Sequence, residues 1–179
     1  LNINSSRIEW FINLNKSTNL SINNLFFGNA VVVDSNTIVI SSNEFTYIID
    51  SNTGSILYKK NFSSKVRPII LNNFLFLTTK RDFLIAFDLR DGSIIYSNDI
   101  KQDIADFLDT KKKTIEIKNI NIINNNIYIF LEKFYLLKYD IYGNLGDIRK
   151  LPSKINSQPL FIENSMLYLN KDNKIIIVD

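Results

Sequence analysis

The sequence predicts an all-β fold, a β-propeller built from four-stranded antiparallel blades. Short runs of β-branched and aromatic residues alternate with Asn, Asp, Ser and Gly along all 179 residues, which is the pattern of strands and turns. The stretch from Ile48 to Tyr58 is repeated from Ala86 to Tyr96, with an offset of 38 residues. A fixed period of that length, with four strands in each unit, is typical of propeller blades.

Two blades carry this repeat in full. The first is predicted over residues 29–60, with strands at 30–34, 37–41, 45–50 and 55–60. The second is predicted over residues 66–98, with strands at 66–71, 74–79, 83–89 and 93–98. Asn72 and Asn73 are expected to form the tight turn between its first two strands, because Asn tolerates a positive φ.

The remaining blades follow the same order of strands. The third is predicted over residues 119–150, with strands at 119–123, 127–131, 134–140 and 145–150. The fourth is predicted over 157–178, with strands at 157–162, 166–170 and 174–178, and it lacks a last strand. Pro68 and Pro159 open the first strands of the second and fourth blades, where a missing N–H donor costs little.

Residues 6–11 resemble the last strand of a blade, with Trp10 in the place of Tyr58 and Tyr96. They belong to a preceding blade or close the ring. We expect residues 1–179 to form one propeller domain or part of one, with about four blades of a ring of seven or eight. Trp10 would then face a missing blade. In the alternative, a closed ring of four blades, residues 7–11 pair with 174–178 and Trp10 packs between blades.

One insertion breaks the period. Asp88 and Asp140 are 52 residues apart, so extra residues lie near 99–114. Within this insertion Ile104, Phe107 and Leu108 have the spacing of one face of a short helix, and Asp103 and Asp106 suit its first turn. An exposed helix face explains the acidic residues 103, 106 and 109. The insertion either carries function or covers a sheet edge; both interpretations stay open.

The repeated motif is interpreted as structural. Asp50 and Asp88 end the third strands of their blades and can accept backbone N–H groups of the following turn, while the glycine supplies a positive φ. The tyrosine four residues after the glycine is expected to be largely buried against the neighbouring blade. The residues assigned to this motif are Asp50, Thr53, Gly54, Tyr58, Ala86, Asp88, Gly92, Tyr96, Asp140 and Trp10.

Composition excludes several functions. The chain has no Cys and no His, which excludes thiol nucleophiles, disulfides and Ser-His-Asp chemistry within it. A net charge of +3 without a clustered basic face gives no basis for nucleic-acid binding, and Lys111, Lys112 and Lys113 read as a solvated loop. No apolar run is long enough to span a membrane. We therefore assign no catalytic residue, no cofactor and no metal site. Residues 50–54 are similar to part of a calcium loop but lack its later Glu.

At the motif the sequence resembles the repeat of pyrroloquinoline-quinone-type propellers, Ala-x-Asp-x-x-Thr-Gly-x-x-x-Trp. Ala86, Asp88 and Gly92 match it, with Tyr96 in place of the Trp. The first blade matches at positions 50, 53, 54 and 58. The third blade keeps Asp140 but has its glycine one residue early and Ile148 in place of the aromatic.

That family divides into quinone-dependent dehydrogenases and non-catalytic members, chiefly BamB-like lipoproteins of outer-membrane protein assembly. The end of the chain, residues 157–179, is similar to the final blade of the BamB-like group. The resemblance implies a non-catalytic scaffold on the periplasmic side of the outer membrane, with envelope proteins of an assembly complex as partners and a lipid anchor upstream. A dehydrogenase would need a calcium site, adjacent cysteines and a Trp beneath the quinone. The alternatives are a portion of such an enzyme, or a propeller that binds a sugar or a peptide.

Overall fold

The computed structural model describes residues 7–14, 31–42, 44–163 and 165–178. Within these ranges fifteen strands form four antiparallel sheets, and each sheet follows the order of the chain. The first sheet contains β1 (Val32–Asp34), β2 (Thr37–Ser41), β3 (Thr46–Asp50) and β4 (Ile56–Lys60). The second contains β5 (Ile69–Leu71), β6 (Phe74–Thr78), β7 (Phe83–Asp88) and β8 (Ile94–Asp99).

The other two sheets continue the series. The third contains β9 (Ile117–Ile123), β10 (Asn126–Leu131), β11 (Tyr135–Asp140) and β12 (Leu145–Lys150). In the described residues the fourth has three strands, β13 (Leu160–Ile162), β14 (Ser165–Leu169) and β15 (Ile175–Val178). The predicted all-β propeller fold is confirmed, and every predicted strand of the four blades is present.

Two predictions about strands are wrong, one on where two first strands begin and one on the strand near the start of the sequence. The first strands of the second and fourth sheets are shorter than expected, because they begin only after Pro68 and Pro159, which have no N–H to donate to a ladder. Residues 8–13 form no strand, although 6–11 resemble one in sequence. Asn72 does adopt the expected positive φ, 55°, in the turn before β6.

The core lies between adjacent sheets, because alternate residues of each strand face opposite neighbours. In β7, Ile85 and Phe87 pack with Val39 of the first sheet, whereas Leu84 and Ala86 belong to the cluster shared with the third sheet. A third cluster joins the third and fourth sheets through Phe130, Leu136, Met166 and Tyr168. The sheets therefore pack face to face in series.

The first strands of the first three sheets lie next to one another, since β5 contacts both β1 and β9. A cavity of about 290 Å³ is lined by Val32 of the first sheet, Ile69 of the second, Ile120 of the third and Gln158, which precedes β13 of the fourth. Residues of three sheets, together with one residue that precedes the fourth, thus border one space, as the inner strands of propeller blades do.

The insertion folds as helix α1 (Ile100–Phe107), confirming the predicted helix. Its N-cap is Asp99, whose carboxylate accepts the N–H groups of Lys101 and Gln102, a role that sequence analysis did not assign. Asp103 does lie in the first turn, but Asp106 lies in the last. Ile100 and Ala105 are buried, which attaches α1 to the sheets.

Candidate functional site

The two ends of the sheets carry different features. The turns that join third and fourth strands contain the repeated Asp and Gly residues, and we call this side the motif end. The opposite side, the insertion end, contains the turns between second and third strands and the connections from one sheet to the next, including α1.

At the motif end an aromatic ring lies against each motif glycine. A Cβ added to Gly92 would lie 2.5 Å from Cε1 of Tyr58, and one added to Gly54 would lie 2.5 Å from Cε3 of Trp10. The third sheet uses Gly143, whose added Cβ would lie 2.8 Å from Cε2 of Tyr96. All three glycines have positive φ, between 72° and 93°. The displaced glycine of the third sheet therefore makes the same contact as its counterparts.

Each ring also donates a hydrogen bond to the backbone of the turn that it contacts. Trp10 Nε1 donates to Ser51 O at 2.8 Å, Tyr58 OH to Arg90 O at 3.0 Å, and Tyr96 OH to Ile141 O at 3.3 Å. The expectation that Trp10 faces a missing blade is wrong, because Trp10 contacts the first sheet. Tyr58 and Tyr96 lie between sheets but remain partly exposed.

The motif carboxylates are engaged by their own turns. Oδ1 of Asp50 accepts the backbone N–H groups of Asn52 and Thr53 and the hydroxyl of Thr53, at 2.8–3.0 Å. These bonds, led by that from the Thr53 N–H, lower the pKa of Asp50. Arg90 does the same for the pKa of Asp88, chiefly through its side-chain hydrogen bonds. Asp50 and Asp88 are thus held ionised as turn acceptors.

The third motif carboxylate, Asp140, is subject to opposing effects. Burial raises its pKa, while hydrogen bonds from the side chain and N–H of Asn144 and from the N–H of Tyr142 lower it, and the net effect is a lowered pKa. Ala86, the remaining motif residue, is buried and lies opposite Tyr96 in the ladder between β7 and β8. A small side chain there leaves room for the packing of the second sheet against the third.

At the insertion end, α1 is fixed to the sheets by polar contacts that sequence analysis missed. The side chain of Asp82 is buried and accepts Nζ of Lys65 at 2.9 Å and Nζ of Lys101 at 2.8 Å. Asp82 has a φ of 65° in the turn between β6 and β7, and its carbonyl accepts the N–H of Ile100. No local pattern marked Asp82, because these partners come from two other segments of the chain, at residue 65 and at residues 100–101.

A second contact fixes the other side of α1. The hydroxyl of the fully buried Tyr139 donates to Oδ2 of Asp103 at 3.1 Å. Burial raises the pKa of Asp103, and burial also raises the pKa of Tyr139. The interpretation of residues 103, 106 and 109 as one exposed acidic face is therefore wrong for Asp103, which points toward the third sheet.

Between α1 and the third sheet lies a cleft of about 170 Å³, which we call the α1 cleft. Ile104 and Leu108 of the insertion form one wall. Leu131, Leu137 and Ile148 of the third sheet form the other. Ile148 lies opposite Leu137 in the ladder and packs with the cluster shared by the second and third sheets. Tyr58 and Tyr96 lie opposite the residue two before the motif Asp, a place that Asp147 takes in the third sheet, so the expectation that Ile148 replaces the aromatic is wrong.

The side chains do not fit a quinone cofactor. The chain contains no Cys, and its single Trp, Trp10, lies against Gly54 at the motif end. The motif carboxylates are bound by turns, and within the described ranges no three acidic residues cluster as metal ligands. Nor does any helix of the described ranges have the length and hydropathy to cross a membrane.

A scan against protein families matches residues 1–98 to the family described as "Outer membrane protein assembly factor BamB". The chain belongs to this BamB family. The match includes the motifs of the first two sheets and ends at Asn98, immediately before the insertion. No curated protein sequence matches the chain.

Solved structures agree on the fold. BamB from Moraxella catarrhalis is 13% identical with a TM-score of 0.65, over 83% of this chain and 42% of that one. The computationally designed Ika8 protein is 14% identical with a TM-score of 0.62, over 84% and 45%. The designed Ika4 protein is 13% identical with a TM-score of 0.63, over 88% and 93%. This chain thus spans less than half of the first two proteins and nearly all of Ika4.

Proposed function

We propose that this protein is a non-catalytic scaffold that binds other envelope proteins during outer-membrane protein assembly, on the periplasmic side of the outer membrane. The family to which the chain belongs is described as an outer-membrane protein assembly factor, and this description supports the proposed role and location. The motif carboxylates stabilise turns and the motif tyrosines stabilise contacts between sheets. The partner-binding surface is therefore assigned to the insertion end.

The observation that carries the proposal is the exposed apolar surface at the insertion end. Phe107 and Leu108 of the insertion are 48% and 46% exposed, and Phe134 and Tyr135 of the adjacent turn are 39% and 37% exposed. Leu108 and Tyr135 line the α1 cleft, and Phe107 and Phe134 precede them in the chain. Exposed apolar groups concentrated at one place mark surfaces that bind proteins.

The test is photo-crosslinking in bacterial cells that carry the protein. A photoreactive amino acid is placed at Arg81 and Gln158, which are exposed at the insertion end, and at Asn52 and Tyr142, which are exposed at the motif end. We expect a crosslink to an outer-membrane assembly protein from the insertion end only. Recovery of the protein in the cytoplasmic fraction, or equal crosslinks from both ends, would overturn the proposal.

A further inference from the structure

We propose that the α1 cleft binds a segment of a partner protein in which one large apolar side chain is flanked by carboxylates. The inference rests on the proposed scaffold function and adds to it the location of the binding site and the chemistry of the partner. It concerns the insertion, which lies outside the part of the chain that matches the family.

The interior of the cleft is apolar. Its walls are formed by Ile104, Leu108, Ile115, Leu131, Leu137 and Ile148. Leu137 at the base is fully buried, whereas Leu108 at the mouth is 46% exposed. A volume of about 170 Å³ accommodates one aromatic or branched aliphatic side chain. Burial of such a side chain against these walls supplies the main driving force for binding.

The rim of the cleft is basic. Lys111, Lys113 and Lys133 line it, and none of the three forms an ion pair with another described residue. Two other charged residues at the cleft are already compensated, because Lys101 pairs with Asp82 and Glu116 pairs with Lys118. The rim therefore presents three uncompensated positive charges around an apolar pocket, which favours a ligand with carboxylates on either side of its apolar group.

The cleft is formed before any ligand arrives. Asp99 caps the N-terminus of α1, Asp82 holds Lys101, and Tyr139 holds Asp103. The N–H of Thr110 then donates to Ala105 O at 2.9 Å, which turns the chain back toward the third sheet. Because both walls are fixed, binding requires little ordering of the protein.

The probe for this site is a fluorescein-labelled peptide, Ser-Glu-Asp-Phe-Glu-Asp-Ser, titrated with the protein while fluorescence anisotropy is recorded. Two further peptides separate the contributions of charge and apolar burial: one replaces the acidic residues with Lys, and the other replaces Phe with Gly. We expect saturable binding of the first peptide only, weakened about fivefold when NaCl is raised from about 0.05 to about 0.5 M.

Protein variants locate the binding. The double substitution K111E/K133E should weaken binding about tenfold, because it reverses two rim charges. Its matched control, K171E/K174E, makes the same change of net charge at two exposed lysines of the fourth sheet and should leave binding unchanged. Leu108→Ser removes an exposed apolar group at the mouth without altering a sheet, and should also weaken binding about fivefold.

Three outcomes would overturn the assignment. One is the absence of saturable binding up to about 1 mM peptide. Another is equal loss of affinity in K111E/K133E and K171E/K174E, which would indicate attraction to net charge alone. The third is binding of anionic phosphatidylglycerol vesicles, abolished by the cleft variants, with no binding of the peptide. If crosslinks at Arg81 and Gln158 still identify an assembly protein, only the cleft assignment fails and the scaffold function stands.

Discussion

Substitution of Gly92 by Ala is expected to destabilise the protein by about 2.5–3 kcal/mol. Gly92 has a φ of 76°, where an L residue costs about 1 kcal/mol or more. The new Cβ would also lie 2.5 Å from Cε1 of Tyr58, which forces the ring to move. The displaced ring loses its hydrogen bond to Arg90 O and its edge contact with Phe87, at 5.8 Å between centroids. These two losses add about 1.5 kcal/mol.

The assay is urea denaturation followed by circular dichroism, with two controls. Gly146 lies in β12 without a positive φ, and its added Cβ would meet only Lys138 O at 3.7 Å, so Gly146→Ala should be neutral or slightly stabilising. In a Tyr58→Ala background, Gly92→Ala should cost only the backbone strain of about 1 kcal/mol. The contact between ring and glycine would be refuted if Gly92→Ala cost the same in both backgrounds, or as little as Gly146→Ala.

Four further predictions concern the motif, the insertion and the cofactor. Tyr58→Ala and Tyr96→Ala should each lower the free energy of unfolding by about 3 kcal/mol, measured by urea denaturation, since each removes a large side chain between sheets. Asp103→Asn should raise the thermal midpoint relative to the wild type at pH 7 but not at pH 4. The raised pKa of Asp103 means that the folded state holds its proton more tightly, so that the wild type loses stability as the pH rises from the unfolded pKa through the folded one. Asp82→Asn should cost about 2 kcal/mol and accelerate amide exchange in α1, because Lys101 loses its partner. Pyrroloquinoline quinone added with calcium should give no saturable absorbance change.

Each of these predictions has an outcome that contradicts it. Losses below about 1 kcal/mol at both tyrosines would show that the rings contribute little to contacts between sheets. If Asp103→Asn and the wild type differ in stability by the same amount at both pH values, the titration of Asp103 is not the cause of the difference. Unchanged exchange in α1 after Asp82→Asn would mean that other contacts hold the helix. Saturable, calcium-dependent binding of the quinone would contradict the non-catalytic proposal.

Much of the fold followed from local pattern. The alternation of β-branched residues with turn residues located the strands. A strand and the turns that flank it are each specified by consecutive residues, so this information is present in the local sequence. Asp50 and Gly54 recur as Asp88 and Gly92, and this repeat showed where each blade begins and ends along the chain. It also indicated that the motif was structural. Asn72 was recognisable as a turn residue for the same local reason.

Several contacts between distant parts of the chain, including those that position the insertion, could be found only from the tertiary structure. The contact of Trp10 with Gly54, the ion pairs of Asp82 and the bond between Tyr139 and Asp103 each join residues far apart in the chain. The sequence neighbourhoods of Asp82, Asp103 and Tyr139 carry no signal for these contacts, because the energy of a buried polar contact depends on which partner the fold brings within reach.

The α1 cleft shows the same division. The sequence by itself determined that an insertion follows the second blade, that it contains a short amphipathic helix, and that lysines follow it. Only the tertiary structure decided that Ile104 of this helix lies opposite Leu131 and Ile148, with Lys111 and Lys133 at the rim of the cleft between them. The separation of the helix from the third sheet is set by the packing of one sheet against the next, and no periodicity within a single segment encodes it.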